Sequence, residues 1–513
     1  TMKSLSRREF SRLITGAAAA TGVAALALLN ARSGLAQRRS LASFTVHGFG
    51  PISPVLPNNT SELVDVPTQG NLVGVPLIAL PALFQYTAIS LRGQRFSNGA
   101  AIPGAHDGMA VFQGRAGHNI LVRNHELSIS TSAGCLTANG KQYDRFAGTA
   151  AGTGGGGTST VVVDRNGRVV EDYISLGGTI RNCAGGATPW NSWITCEENV
   201  TTPSTDGRAT LRHGYNFEVP SQLKEAVDPI PLVAMGRMNH EAVSVDAQTG
   251  YVYETEDRND SAYYRFVPKK KPNRFGDLQE GGDLYAMVVK PGQRSTCTGE
   301  PLPTTVLQGT EVVDTRGLRG GASGSVLPFL GQPLAVEWVK LEDVDPVDDT
   351  LRFEALSKGA AAWFRGEGAW FHRGKHYFVC SNAGDAGEGQ VWCYDPSRET
   401  VTLLVESTAE NLHAGPDNLT IARDGTIYLC EDGSGGTPGS ASYSQRIVGI
   451  DATGGLFTFA QNLVSTAEFA GACFSQDGHY LYVNLQGQGI TLAIWRTDHR
   501  PIYLATGFVA SSR

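Results

Sequence analysis

From about residue 43 onward, short apolar runs rich in Val, Ile, Tyr, Phe and Trp alternate with tight polar turns. Runs of this length, bounded by turn residues, predict strands rather than helices. The punctuation is explicit at Asp164-Arg165-Asn166-Gly167, Asp246-Ala247-Gln248-Thr249-Gly250, Arg423-Asp424-Gly425 and Gln476-Asp477-Gly478. Long amphipathic helical stretches are scarce.

The strand pattern is self-similar. Glu241-Ala242 leads through a turn at Gly250 to a strand over 251–257, and Glu367-Gly368 leads through Gly374 to one over 376–382. Asp417-Asn418 leads through Gly425 to 426–432, and Glu468-Phe469-Ala470-Gly471 leads through Gly478 to 480–484. Two looser copies run from Asp107-Gly108-Met109 to Asn124-His125-Glu126 and from Cys183-Ala184-Gly185 to Cys196-Glu197-Glu198. Each reads as a hairpin whose open end carries oxygen ligands, with Cys183 replacing one acid. Six such hairpins set radially would bring those ends round one axis, so the pattern predicts an all-β, six-bladed β-propeller with an axial metal site. A β-sandwich is the competing architecture; the return of an acid at both ends of the hairpin disfavours it.

The amino-terminal segment breaks this pattern. Ser6-Arg7-Arg8-Glu9-Phe10 precedes an alanine-rich apolar run from Leu13 to Leu29, and Gly34-Leu35-Ala36-Gln37 follows. A basic start, a short apolar stretch and small residues at the end predict a signal peptide, and the paired arginines point to the twin-arginine route. Residues 1–36 are therefore expected to be a twin-arginine signal peptide and 43–513 a single propeller domain. The expected location is periplasmic or secreted. The twin-arginine export machinery would be a partner, and the mature protein would have no stable membrane insertion.

Composition sharpens the chemistry. The chain has 62 glycines in 513 residues and a net charge of −7. That much glycine suits many tight turns, and the acidic balance argues against a nucleic-acid surface. The candidate metal ligands are Glu126, Cys183, Glu197, Glu198, Glu241, Glu256, Asp257, Glu367, Asp417, Glu431 and Asp432, with Glu468 in the same pattern. Carboxylates gathered at one mouth repel one another, and bound cations are the simplest remedy. Hard oxygen donors suit Ca²⁺, whereas a thiolate at Cys183 favours a transition metal such as iron. Arg365 stands two residues before Glu367, a spacing that puts both on one face of a strand. A guanidinium beside a metal-binding carboxylate suits a phosphate or carboxylate substrate, so Arg365 and Glu367 are the catalytic candidates. No G-x-S-x-G elbow and no phosphate-binding P-loop occur.

Several of these segments resemble the PhoX-type alkaline phosphatase family. They are Asn124-His125-Glu126, Asn182-Cys183-Ala184-Gly185-Gly186-Ala187-Thr188-Pro189-Trp190, Thr195-Cys196-Glu197-Glu198-Asn199 and Gly236-Arg237-Met238-Asn239-His240-Glu241. In the second half come Phe364-Arg365-Gly366-Glu367-Gly368, Gly389-Gln390-Val391-Trp392, Pro416-Asp417-Asn418-Leu419, Cys430-Glu431-Asp432-Gly433 and Glu468-Phe469-Ala470-Gly471. The resemblance implies a six-bladed propeller, phosphomonoesterase activity on small phosphate esters, and an axial cofactor of Fe³⁺ and Ca²⁺. It implies Cys183, Glu198 and Glu241 on the iron side, Glu126, Glu367, Asp417, Glu431 and Asp432 as calcium ligands, and Arg365 as the phosphate clamp. The chain departs from the family at Asn191, often Gly, and at Asn239, near which a basic residue is common. The residues alone leave two other readings open. One is a calcium-dependent propeller lactonase or phosphotriesterase, the other a non-catalytic exported metal-binding propeller.

Overall fold

The computed structural model describes residues 47–129, 133–148, 154–290, 304–307, 310–315, 330–384, 386–407, 415–433 and 445–503. The expected signal segment lies outside the described residues. Among them, no helix is long and apolar enough to cross a membrane.

The regular structure of the described residues is nearly all strand, with four short 3-10 turns and one α-helix, Leu351–Ser357. The six hairpins form where the repeat places them. They are His106–Gln113 with Asn119–His125, Asn182–Ala187 with Ser192–Glu197, and His240–Val245 with Val252–Glu256. Gly366–His372 with Lys375–Cys380, Pro416–Ile421 with Ile427–Glu431, and Phe469–Phe474 with Tyr480–Leu485 complete the set. The first strand of each hairpin packs on the first strand of the next, and the sixth returns to the first, so these strands surround an axis. The circle is tied by Phe84–Leu91, an early strand that pairs with Ile490–Arg496 near the end of the described chain.

The expectation of a six-bladed propeller is corrected by the strand pairing. Four sheets have four or more strands, with nine, six, four and four, and a three-stranded and a two-stranded sheet accompany them. Among the described residues there are not six separate four-stranded blades. Pro333–Lys340 pairs with Gly282–Val289 on one side and Thr400–Glu406 on the other. It thereby fuses the third and fourth hairpins and their outer strands into the single nine-stranded sheet. Among the described residues the second hairpin gains only Asn216–Pro220. The sequence repeat reports the inner hairpins; it carries no information on how many outer strands each acquires.

Sheet faces pack on one another through alternate residues of the strands. Met109, Leu121 and Val161 meet Cys473 and Tyr482, and Val379 and Val391 meet Leu419, Leu429 and Val448. Cys196, Cys380 and Cys430 pack in three other apolar clusters, as expected of thiols in apolar strand runs.

Candidate metal centre and active site

Every one of the six hairpins carries an irregularity at the same place. Near its open end the first strand advances three residues while the second advances two, as between His106/Met109 and His125/Arg123. The same shift occurs at Asn182/Gly185, His240/Val243, Gly366/Ala369, Pro416/Leu419 and Ala470/Cys473. A β-bulge leaves its extra residue outside the ladder and re-aims a side chain. The bulged pairs are Asp107-Gly108, Cys183-Ala184, Glu241-Ala242, Glu367-Gly368, Asp417-Asn418 and Gly471-Ala472. In five of them an acid or thiol is followed by a small residue or Asn. Close approach explains the small one: a Cβ on Gly108 would stand 2.6 Å from the Cys183 carbonyl oxygen, and one on Gly368 would stand 2.6 Å from that of Asp417. In the sixth hairpin Gly471 occupies the bulge with φ +62, and Glu468, three residues earlier, supplies the acid.

A second layer sits above the bulges. In each hairpin the backbone N–H just past the second strand donates to a carbonyl just before the bulge. The pairs are Glu126 to Ala105, Glu198 to Arg181, Asp257 to Asn239, Ser381 to Arg365, Asp432 to Gly415 and Gln486 to Glu468. This recurring closure sets Glu126, Glu198, Asp257 and Asp432 at the rim, with Arg181, Arg365 and Asn239 opposite them. Together the layers line a cavity of about 90 Å³ in which Asp107, Glu126, Glu198, Glu241, Asp257, Glu367, Asp417, Asp432, Glu468 and Cys183 face Arg181 and Arg365. Nine carboxyls and a thiol thus share a small space with only two guanidiniums.

The electrostatic consequence is direct. Burial, reinforced by neighbouring carboxylates, drives Asp107, Glu241, Glu367 and Glu468 well above the usual carboxylate range. Burial also pushes Glu198 up to about 7 and Asp417 to about 8, against the pull of Arg181 and Arg365 respectively. Burial, Glu241 and Glu198 raise the Cys183 thiol, which donates a 2.8 Å hydrogen bond to a Glu241 carboxylate oxygen. Desolvated like charges of this kind call for cations.

The donor set fits them. Three groups hold ligand atoms within 4.8 Å of one another: Cys183, Glu198 and Glu241; Glu241, Glu367 and Asp417; Asp417, Asp432 and Glu468. Glu241 and Asp417 each belong to two groups, so the cluster is continuous. Only the first contains sulfur, which separates a softer site from two all-oxygen ones.

Of the candidates named from the sequence, Glu126, Cys183, Glu198, Glu241, Asp257, Glu367, Asp417 and Asp432 line the cavity, and so does Arg365. Glu197, Glu256 and Glu431 do not; each turns away from the axis and bonds to partners outside the cavity. Glu197 accepts from Ile180, Gly214 and Tyr215 N–H groups and contacts His213. Glu256 accepts from the Tyr264 hydroxyl at 2.7 Å, and Glu431 takes a two-pronged ion pair from Arg446. His125 and His240, which flank ring acids, are held in the core by the Gly104 and Gly236 carbonyls. Sequence reasoning missed Asp107 and Arg181 as cavity residues. Asp107 had its signal, the acid–small pair at the head of a looser repeat. Arg181 precedes Cys183 by two residues, as Arg365 precedes Glu367, but the match is visible only once Cys183 and Glu367 are aligned through their bulges.

The profile of the family "Alkaline phosphatase PhoX" matches residues 61–172 and 166–489. The chain belongs to the PhoX alkaline phosphatase family. It is therefore a hydrolase of the phosphomonoesterase type, and its buried acid and cysteine groups support a metal-dependent chemistry. Among solved structures, the fold is similar to Pseudomonas fluorescens PhoX in complex with vanadate, a transition state analogue. There the TM-score is 0.60 at 17% identity, covering 83% of this chain and 97% of that one. A gluconolactonase from Xanthomonas campestris matches at TM-score 0.35 and 11% identity, over 88% of this chain and 99% of that one. No curated protein matches.

Proposed function

We propose that the protein releases phosphate from organic phosphate monoesters with a calcium and ferric iron cluster held in the axial cavity. The observation that carries this reading is the presence of Arg365 in the same cavity as three contiguous ligand groups. Cys183, Glu198 and Glu241 would hold iron, and Glu126, Glu367, Asp417, Asp432, Asp107 and Glu468 would hold calcium. When bound, these cations supply Lewis acidity toward phosphoryl oxygens and neutralise charge as it builds up.

The chain's own residues bind and orient. Arg365 donates from Nε and Nη2 to the two Asp257 oxygens at 2.8 and 3.1 Å, and its Nη2 lies 3.2 Å from Glu367. Those contacts fix the guanidinium plane at the mouth, ready for the equatorial oxygens of a transferring phosphoryl group. Glu367 is held in turn by a 2.6 Å hydrogen bond from the Ser381 hydroxyl. The bulges keep the deep ligands in place through their backbones. Asn484 donates to the Asp107 carbonyl, Asn124 to that of Cys183 and Thr255 to that of Glu367.

Residues 1–36 would direct the protein through the twin-arginine machinery to the periplasm, leaving 43–513 as a single mature domain. Fe³⁺ and Ca²⁺ measured by elemental analysis, together with p-nitrophenyl phosphate hydrolysis in the Arg365→Ala and Glu367→Gln variants, test the proposal. Wild-type turnover that both substitutions abolish is expected; full activity in both would overturn the assignment of these residues.

A further inference from the structure

The two arginines of the cavity occupy matching positions in different hairpins. Arg181 stands two residues before Cys183 and Arg365 two before Glu367, both in the left-handed region at φ 49. Each gives its carbonyl to the closing N–H of its own hairpin, Glu198 for Arg181 and Ser381 for Arg365. A positive φ is unfavourable for a side chain of this kind, and here the same backbone conformation recurs under both guanidiniums. Each head group is then anchored by carboxylates: Arg181 Nη2 lies 2.6 Å from Glu126 and 2.5 Å from Glu198, while Arg365 is gripped by Asp257. In both, Nη1 makes no hydrogen bond among the described residues, and about two-fifths of the side chain is exposed, 42% and 39%. Asn239, at the corresponding place in the hairpin between them, donates to Glu198 and so shares an acid with Arg181.

We infer that Arg181 is a second phosphate-binding residue, and that with Arg365 it forms a two-guanidinium clamp selecting doubly charged monoesters over singly charged diesters. This deepens the phosphatase reading and rests on it. Two fixed cations facing one small cavity interact with each charge of a dianion, whereas a diester offers them only one. A role limited to neutralising Glu126 and Glu198 would leave substrate affinity untouched once cations occupy the cavity. The clamp instead makes KM depend on Arg181.

The test uses the metal-loaded protein with p-nitrophenyl phosphate, bis(p-nitrophenyl) phosphate and inorganic phosphate as inhibitor, comparing wild type, Arg181→Ala and Arg181→Lys. Metal content is measured alongside. For Arg181→Ala the expected result is a rise of about 10- to 100-fold in monoester KM and in the inhibition constant for phosphate, the range for losing a hydrogen bond to a charged group. The diester should change several-fold less, metal content should hold, and Arg181→Lys should recover part of the loss. Unchanged KM and phosphate inhibition in Arg181→Ala would overturn the clamp, as would losses that merely track lost metal. Wild-type protein inert on both esters would contradict the phosphatase reading itself, which separates the two failures.

Discussion

Three strand ends carry adjacent acids: Glu197-Glu198, Glu256-Asp257 and Glu431-Asp432. Neighbours in sequence, they live in opposite worlds. The first of each pair is fully buried, turned into the sheet and bonded to partners outside the cavity. The second faces the cavity among other carboxylates, where Glu198 is pushed up by burial against the pull of Arg181. Alternation along a strand does this: successive side chains point to opposite faces, so two identical residues receive different tasks. The inward acid is costly without a ligand; the outward one belongs to the scaffold whether or not a ligand is present.

Substitutions can break the comparison at either end. The largest effect is expected from the inward set. Glu241→Gln, which removes a carboxylate shared by two ligand groups, should lower phosphomonoester turnover by at least about 100-fold. In chelator the same variant should melt higher than wild type, because one repelling carboxylate is gone; differential scanning fluorimetry reads this directly. Glu197→Gln should do the reverse. It breaks a fully buried contact with His213 and should cost about 3–5 kcal/mol of stability in denaturant titration, while the folded fraction keeps its activity per molecule.

The pH dependence of stability sharpens the contrast. With metal removed, the inward carboxyls have pKa values raised above those of the unfolded chain, Glu198 to about 7 and Asp417 to about 8 by burial. The folded state then holds more protons than the unfolded one, so stability should fall as pH rises from about 4 to about 8. Restoring calcium should abolish that fall. His213 behaves differently: burial opposes its charging, but Glu197 and Asp144 outweigh burial and raise it to about 9. Its contribution is fully present below about 6.5 and is lost as pH rises through about 9, with or without metal. A melting-temperature series in chelator and in calcium separates the two. The smallest effect is expected at Glu431→Gln, whose ion pair with Arg446 is worth about 1–2 kcal/mol in denaturant titration and nothing in turnover.

The same contrast marks what could be read in advance. The six hairpins and most cavity residues were visible because an acid, a small residue and a glycine turn recur at fixed spacing. The acid doublets were visible too, but choosing between Glu197 and Glu198 requires knowing which of them meets the axis, and that is set by pairing with the other strand, where the Glu198 N–H closes on the Arg181 carbonyl. Nothing local announces that Pro333–Lys340 would bridge two hairpin systems, because strand partners so distant in sequence are set by packing. Arg181 escaped notice for a related reason: the residue two places beyond it is a cysteine where the comparable hairpin has a glutamate.

In the proposed function the inward acids and Cys183 hold cations that make the cavity a phosphatase site. The most direct test is p-nitrophenyl phosphate hydrolysis by the purified protein before chelation, after it, and after calcium is restored. Activity that disappears with the chelator and returns with calcium is the predicted result. Turnover that persists in protein shown to be metal-free would contradict the account.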